Sequence, residues 1–185
     1  ADLIGETLTH LGAALQLAGH ADQASPLYDQ ALASARQAGD RHSEAVLLNN
    51  IGLIELRAGS TDKAEATFKG ALAINQVLGD QSERAANLAN LGLIALEAGR
   101  LDEAQVHFEK ALGLDKEAEN RDAIAADLAN LARLAEKQNR KEEALAYAQR
   151  AYWSYRALGD GRRALAELNH ALALSREQGR RQEAA

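Results

Sequence analysis

The sequence predicts an all-α protein assembled from repeated helical hairpins, on three observations. The chain matches itself at a shift of forty residues, from Leu8 to Leu168, with no insertion. Within each repeat the apolar residues recur at three- and four-residue steps, the spacing of one helical face. A single proline, 4% aromatic residues and an alanine-rich 46% hydrophobic fraction favour helices, whereas strands would want β-branched and aromatic side chains.

The first repeat, about residues 3–41, puts Leu8, Leu11 and Gly12 on its first helix and Ala24, Tyr28 and Ala31 on its second. Pro26 either kinks that second helix or moves its start to a Ser25 cap, with proline in the tolerated first turn. The second repeat, 42–81, repeats the set as Leu48, Ile51, Gly52, Ala64, Phe68 and Ala71. The third, 82–121, carries Leu88, Leu91, Gly92, Ala104, Phe108 and Ala111; the small Gly92 and Ala104 let the two helices approach, and Phe108 fills the space beside them. In the fourth, 122–161, Leu128 and Leu131 keep their places, but Ala132 stands for the glycine and Ala148 for the aromatic residue. Tyr152 and Trp153 are expected to refill that volume.

A terminal helix over about 162–178 brings Leu168, Ala171 and Leu172, and the alanine row ends at Ala184. The chain reads there either as a truncated array or as a capping helix, and the bulk of Leu172 at the close-approach position favours the cap. Gly19, Gly59, Gly99, Asn139 and Gly179 fall where a first helix must end, since both residue types tolerate the left-handed conformation. Gly39, Gly79 and Gly159 close the second helices, each followed by aspartate, and Asp62 and Asp102 suit helix N-termini.

Leu88, Leu91, Gly92, Ala104, Phe108 and Ala111 resemble the tetratricopeptide repeat, whose pattern is an apolar residue, Leu, Gly, then Ala, an aromatic and Ala. The resemblance covers nearly the whole chain. It implies a right-handed α-α superhelix, a solenoid of four hairpins plus a final helix, forming one array over residues 1–185. Two departures stand out. The period is forty rather than the usual 34, as in the longer repeats of kinesin light chain and spindle-orientation adaptors, and the usual closing proline is replaced by Arg36, Gln76, Lys116 and Arg156.

Several functions are excluded or disfavoured. A net charge of −6 argues against general nucleic-acid binding, which draws its affinity from neutralising phosphates. No apolar run is long enough to enter a membrane and no signal-peptide series is present; the chain reads as soluble, with the cytoplasm as default compartment and a removed targeting segment compatible with the absence of methionine. Without cysteine there is no thiolate metal site, and the five histidines lie at no ligand-like helical spacing. Catalytic constellation, metal site and cofactor are therefore all unexpected.

The remaining class is protein binding. A solenoid exposes a concave groove lined by first helices, and there Asn50, Asn90 and Asn130 recur one residue before the Leu or Ile of the motif, with His10 and His170 in the same row. Asparagine both donates and accepts hydrogen bonds, so a row of them suits the backbone of an extended peptide. The resemblance implies that use, but not a clamp for a terminal carboxylate, because Val46, Ala86 and Ala126 stand where the basic partners would be. Arg57, Glu97, Arg133 and Lys137 form a charged wall along the same face. The expected function is an adaptor or scaffold that holds an extended or helical partner segment in the groove. The alternatives are a homo-oligomer joined through the terminal repeats and the peptide-sensing part of a larger regulator.

Overall fold

The computed structural model describes residues 3–183, and side chains over residues 3–176. Among the described residues there are nine helices and no strand: α1 (Leu3–Leu17), α2 (Ala21–Ala38), α3 (Arg41–Arg57), α4 (Thr61–Leu78), α5 (Gln81–Glu97), α6 (Leu101–Glu117), α7 (Arg121–Lys137), α8 (Lys141–Ala157) and α9 (Gly161–Glu183). Turns of two or three residues join them. The chain divides into two compact units, residues 1–87 and 88–185. In the first, α1 packs on α2, α2 on α3 and α3 on α4; in the second, the same succession links α6, α7, α8 and α9.

The turns explain the regularity. At the end of each first helix the chain passes through the left-handed region at Gly19, Gly59, Gly99 and Asn139, and at the end of each second helix at Gly39, Gly79, Glu119 and Gly159. The amide of the residue after the left-handed one then reaches back five positions, as in Asp40 N to Ala35 O at 2.9 Å and Arg100 N to Ala95 O at 2.8 Å, satisfying carbonyls the helix end would orphan. The first helices are also capped by side chains. Asp40, Asp80, Asn120 and Asp160 accept from the amides of Ser43, Glu83, Ala123 and Arg163 at 2.9 to 3.3 Å. The residues before the second helices, His20, Ser60, Arg100 and Arg140, make no such bond.

Each of the first three hairpins closes on a glycine facing a ring. A Cβ built on Gly12 would lie 2.7 Å from the Tyr28 ring, on Gly52 2.8 Å from Phe68, and on Gly92 2.6 Å from Phe108. Those three rings are wholly buried. In the fourth hairpin both partners change together: Ala132 and Ala148 are buried in one cluster with Ala135, Ala144, Ala171 and Leu174.

Three expectations need correction. Tyr152 and Trp153 do not refill the place of Ala148. Leu145 and Tyr147 border that cluster, while Tyr152 packs on the cluster around Phe108 and Trp153 is 59% exposed, because position 153 shares the exposed register of Ala33, Ala73 and Gly113. The Ser25 cap does not form either, since α2 starts four residues earlier at Ala21 and carries Pro26 inside it. Finally, α9 continues to Glu183, past both residue 178 and Gly179. An interior glycine costs only about 1 kcal/mol against alanine, and Arg180, Arg181, Gln182 and Glu183 are good helix formers. Ala184, the last of its row, lies outside the described residues.

Candidate functional site

The candidate surface follows from one helical register. Residues 10, 50, 90, 130 and 170 each precede the apolar position of the repeat, which is half exposed at Leu11, half-buried at Ile51 and buried at Leu91, Leu131 and Ala171. They so stand on the shoulder of a first helix: His10 on α1, Asn50 on α3, Asn90 on α5, Asn130 on α7 and His170 on α9. Their surroundings differ. His10 is exposed, Asn50 and Asn90 are half-buried, and Asn130 is only 9% exposed.

His170 is engaged within the protein. Its Nε2 lies 3.0 Å from Glu136 Oε2 on α7, and its Nδ1 lies 3.6 Å from Glu167 Oε2 one turn back on α9. The Glu167 contact is the main influence raising the imidazole pKa; burial opposes it and Glu136 adds to it. His170 thus ties α9 to α7, which is structural use of a residue expected at the ligand.

The charged wall sits at helix ends. Arg57, Glu97 and Lys137 are the last residues of α3, α5 and α7, and all are exposed, as is Arg133 one turn earlier on α7. Arg57 and Lys137 suit the negative end of a helix dipole, whereas Glu97 has the opposite sign there.

In the first unit the row opens into a pocket of about 250 Å³. Ala31, Ala35 and Leu47 line its apolar part, and Glu6, His10 and His42 supply polar groups, with Val46 between them. Forty residues further on, the counterparts of Ala35 and Leu47 are Asn75 and Asn87, whose amides bond to each other at 3.0 Å and onward to Asn49 at 3.1 Å. Where the first repeat leaves a hollow, the second fills it with amides. Glu6 and His42 give no sequence signal for this pocket, since neither residue type recurs forty positions on, where Val46 and Ser82 stand.

The same place carries buried polar groups in every later repeat. After Asn75 with Asn87 come Asp115 with Asp127, 3% and 2% exposed, and then Tyr155 with Glu167. The two aspartates are hydrogen-bonded to each other across the contact of α6 with α7. Burial, then repulsion from Asp115, pushes the Asp127 carboxyl up to about 8. Burial likewise raises Asp115, against hydrogen bonds from Asp127 and Asn120. The sequence signal was available: these pairs stand twelve residues apart, one on each side of a turn.

Among the described residues no group of three or more His, Asp or Glu side chains is placed to hold a metal ion, and no helix is long and apolar enough to cross a membrane. The profile of the tetratricopeptide repeat matches residues 3–76 and 81–152. Among curated proteins no sequence matches. The chain is similar in fold to BtubC (BKLC) from P. vanneervenii, with a TM-score of 0.71 and 20% identity over 95% of this chain and 82% of that one. It is also similar to the nearly identical TPR-like repeats of a putative kinesin light chain from Podosopora anserina, at 0.75 and 16% over 100% and 92%. A third similar structure is a Rap protein complexed with competence and sporulation factor, at 0.63 and 17% over 95% and 53%.

Proposed function

Because the chain belongs to the tetratricopeptide repeat family, we propose that it is a protein-interaction module that holds an extended peptide on the shoulders of its first helices. The observation that carries this reading is the recurrence of Asn50, Asn90 and Asn130 at one register of α3, α5 and α7. Side chains that both donate and accept, repeated at one place per hairpin, suit a ligand whose own donors and acceptors also repeat, and a peptide backbone is such a ligand. The Rap protein of similar fold, complexed with a sporulation factor, supports a ligand-holding role. The pocket beside His10 and His42 offers a place for one side chain of the ligand, and the charges of Arg57, Glu97, Arg133 and Lys137 supply selectivity that backbone contacts cannot.

The test is to select peptides from a displayed random library on the wild-type chain, then titrate them calorimetrically against variants of unchanged helicity. A neutral hydrogen bond is worth about 0.5 to 1.5 kcal/mol net, so Asn50→Ala or Asn90→Ala should each weaken binding roughly two- to tenfold. Asn130→Ala should do least, given its burial. The losses should be similar for peptides of different sequence, while Arg57→Ala and Lys137→Ala should hurt acidic peptides selectively and less at high salt. Unchanged affinity in the triple alanine variant would move the binding site elsewhere.

A further inference from the structure

The repeat supplies an internal standard against which its last elements stand out. At residue 145 the earlier repeats carry Ser25, Glu65 and Gln105, and here there is Leu145; at residue 153 they carry Ala33, Ala73 and Gly113, and here there is Trp153. At residue 172 the series Gly12, Gly52, Gly92 and Ala132 ends in Leu172. Three substitutions toward large apolar side chains therefore fall on one surface, where α8 and α9 frame a hollow of about 370 Å³ lined by Leu145, Tyr152, Trp153, Leu168 and Leu172. Trp153 is 59% exposed and Leu172 45% exposed, with Leu165 exposed nearby. In the first three hairpins the position of Leu172 is covered by the ring of a second helix. This face is built like one that another helix covers.

The other end of the chain offers such a helix. Leu3 and Ile4 on α1 are 71% and 73% exposed, and Leu11, two turns on along the same face, is half exposed. The counterparts of Leu11 at Leu91 and Leu131 are buried, whereas this face of α1 stays open among the described residues. The charges are complementary. Residues 1–40 hold five carboxylates against the single basic Arg36, whereas residues 141–185 hold eight basic side chains against six acidic, and one of those six, Glu167, is buried. Arg150, Arg156, Arg162 and Arg176 are all exposed on α8 and α9, and the Arg156 guanidinium lies 5.0 Å over the Trp153 ring.

We infer that the exposed apolar face of α8 and α9 docks α1 of a second copy of this chain, so that copies join head to tail. Two α8–α9 faces pairing with each other would set arginine against arginine, which complementary interfaces avoid. A contact between two different patches is heterologous and does not close on itself at a dimer, so chains lengthen as concentration rises. The contact is independent of the asparagine row: the triple asparagine variant should associate like the wild type.

Sedimentation velocity on the full chain over a wide concentration range tests this. The wild type should gain mass past the dimer with concentration and lose it in high salt. A head variant, Leu3→Ser with Ile4→Ser, and a tail variant, Trp153→Ser with Leu172→Ser, change only exposed positions, and circular dichroism checks that both keep their helices. Each removes two apolar side chains from the contact and should weaken association roughly a hundredfold or more. Mixed one to one, the two variants should give a dimer and nothing larger, since one intact head meets one intact tail. A wild type that stays monomeric throughout, a head variant that dimerises alone, or a mixture that forms no dimer would each overturn the inference.

Discussion

Asn75 and Asn87 hold in the first unit the two places that Asp115 and Asp127 hold in the second. The side chains are nearly isosteric and the helices meet in the same register, yet only one pair can change its charge. Asn75 donates to Asn87 at 3.0 Å, and the pair is neutral at every pH. The aspartate pair is neutral only while both carboxyls are protonated. The difference teaches what the position takes, which is a pair of buried polar side chains bonded to each other. The first unit forms that pair from two amides and the second from two carboxyls that share a proton, held by Asp127 beside an Asp115 that ionises first.

Exchanging the pairs has the largest expected effect. In the folded chain Asp127 keeps its proton up to about pH 8, whereas an unfolded aspartate loses it near about 3.9. Between those values the folded state binds more protons than the unfolded state, so stability falls as pH rises from about 4 to about 8, by at most about 1.4 kcal/mol per pH unit, and levels off above. Asp115→Asn with Asp127→Asn should remove that slope, adding on the order of 3 kcal/mol at pH 8 and little at pH 4. The reverse exchange, Asn75→Asp with Asn87→Asp, should bring the slope into the first unit. Urea unfolding at pH 4, 6 and 8, followed by the fluorescence of Trp153, measures the double asparagine variant against wild type. If the two lose stability in parallel, the aspartates hold no proton.

The contact inside a hairpin varies by size where the contact between hairpins varies by charge, and this sharpens the comparison. Gly92 faces the Phe108 ring so closely that an added Cβ would lie 2.6 Å from it, while Ala132 shares a buried cluster with Ala148. Gly92→Ala should therefore cost about 1 to 3 kcal/mol in the wild-type background through overpacking. In a Phe108→Ala background the same substitution should cost almost nothing, because it then copies the fourth hairpin. A thermal-unfolding double-mutant cycle reads this coupling. Equal losses in both backgrounds would mean that the ring is not what keeps position 92 small.

The helices and their order were legible in the sequence because each depends on local periodicity and on turn residues that recur every forty positions. Gly59, Gly99 and Asn139 marked helix ends, and all three adopt the expected left-handed backbone. Less legible was whatever depends on a neighbouring helix. The burial of Asp115 and Asp127 is less legible than their spacing across the turn, since a single helix does not show which of its faces the next hairpin covers. The register of His170 was visible, but its contacts with Glu136 and Glu167 were not. Asn130 has the register of Asn50 and Asn90 and less exposure than either. Register was visible in the chain; burial had to come from packing.

The smallest effect is expected at a turn, where the two units differ once more. Gly39 and Gly79 end the second helices of the first unit with φ of 70° and 73°, whereas at the same place in the second unit Glu119 adopts φ of 54° and Gly159 follows with 78°. A residue with a Cβ in this region costs roughly 1 to 2 kcal/mol, because the Cβ crowds the following carbonyl oxygen; glycine avoids that strain, offset in part by the greater freedom it has when unfolded. Glu119 is exposed, so its replacement disturbs no packing. Glu119→Gly should accordingly raise stability by about 0.5 to 1 kcal/mol, and Glu119→Asn by less, as asparagine tolerates the conformation better than glutamate does. Asn139, at φ of 59° in the next turn, already uses that tolerance. Urea midpoints for wild type and both variants should rise in the order Glu, Asn, Gly; the opposite order would mean that the carboxylate at residue 119 contributes more to the folded chain than its backbone strain removes.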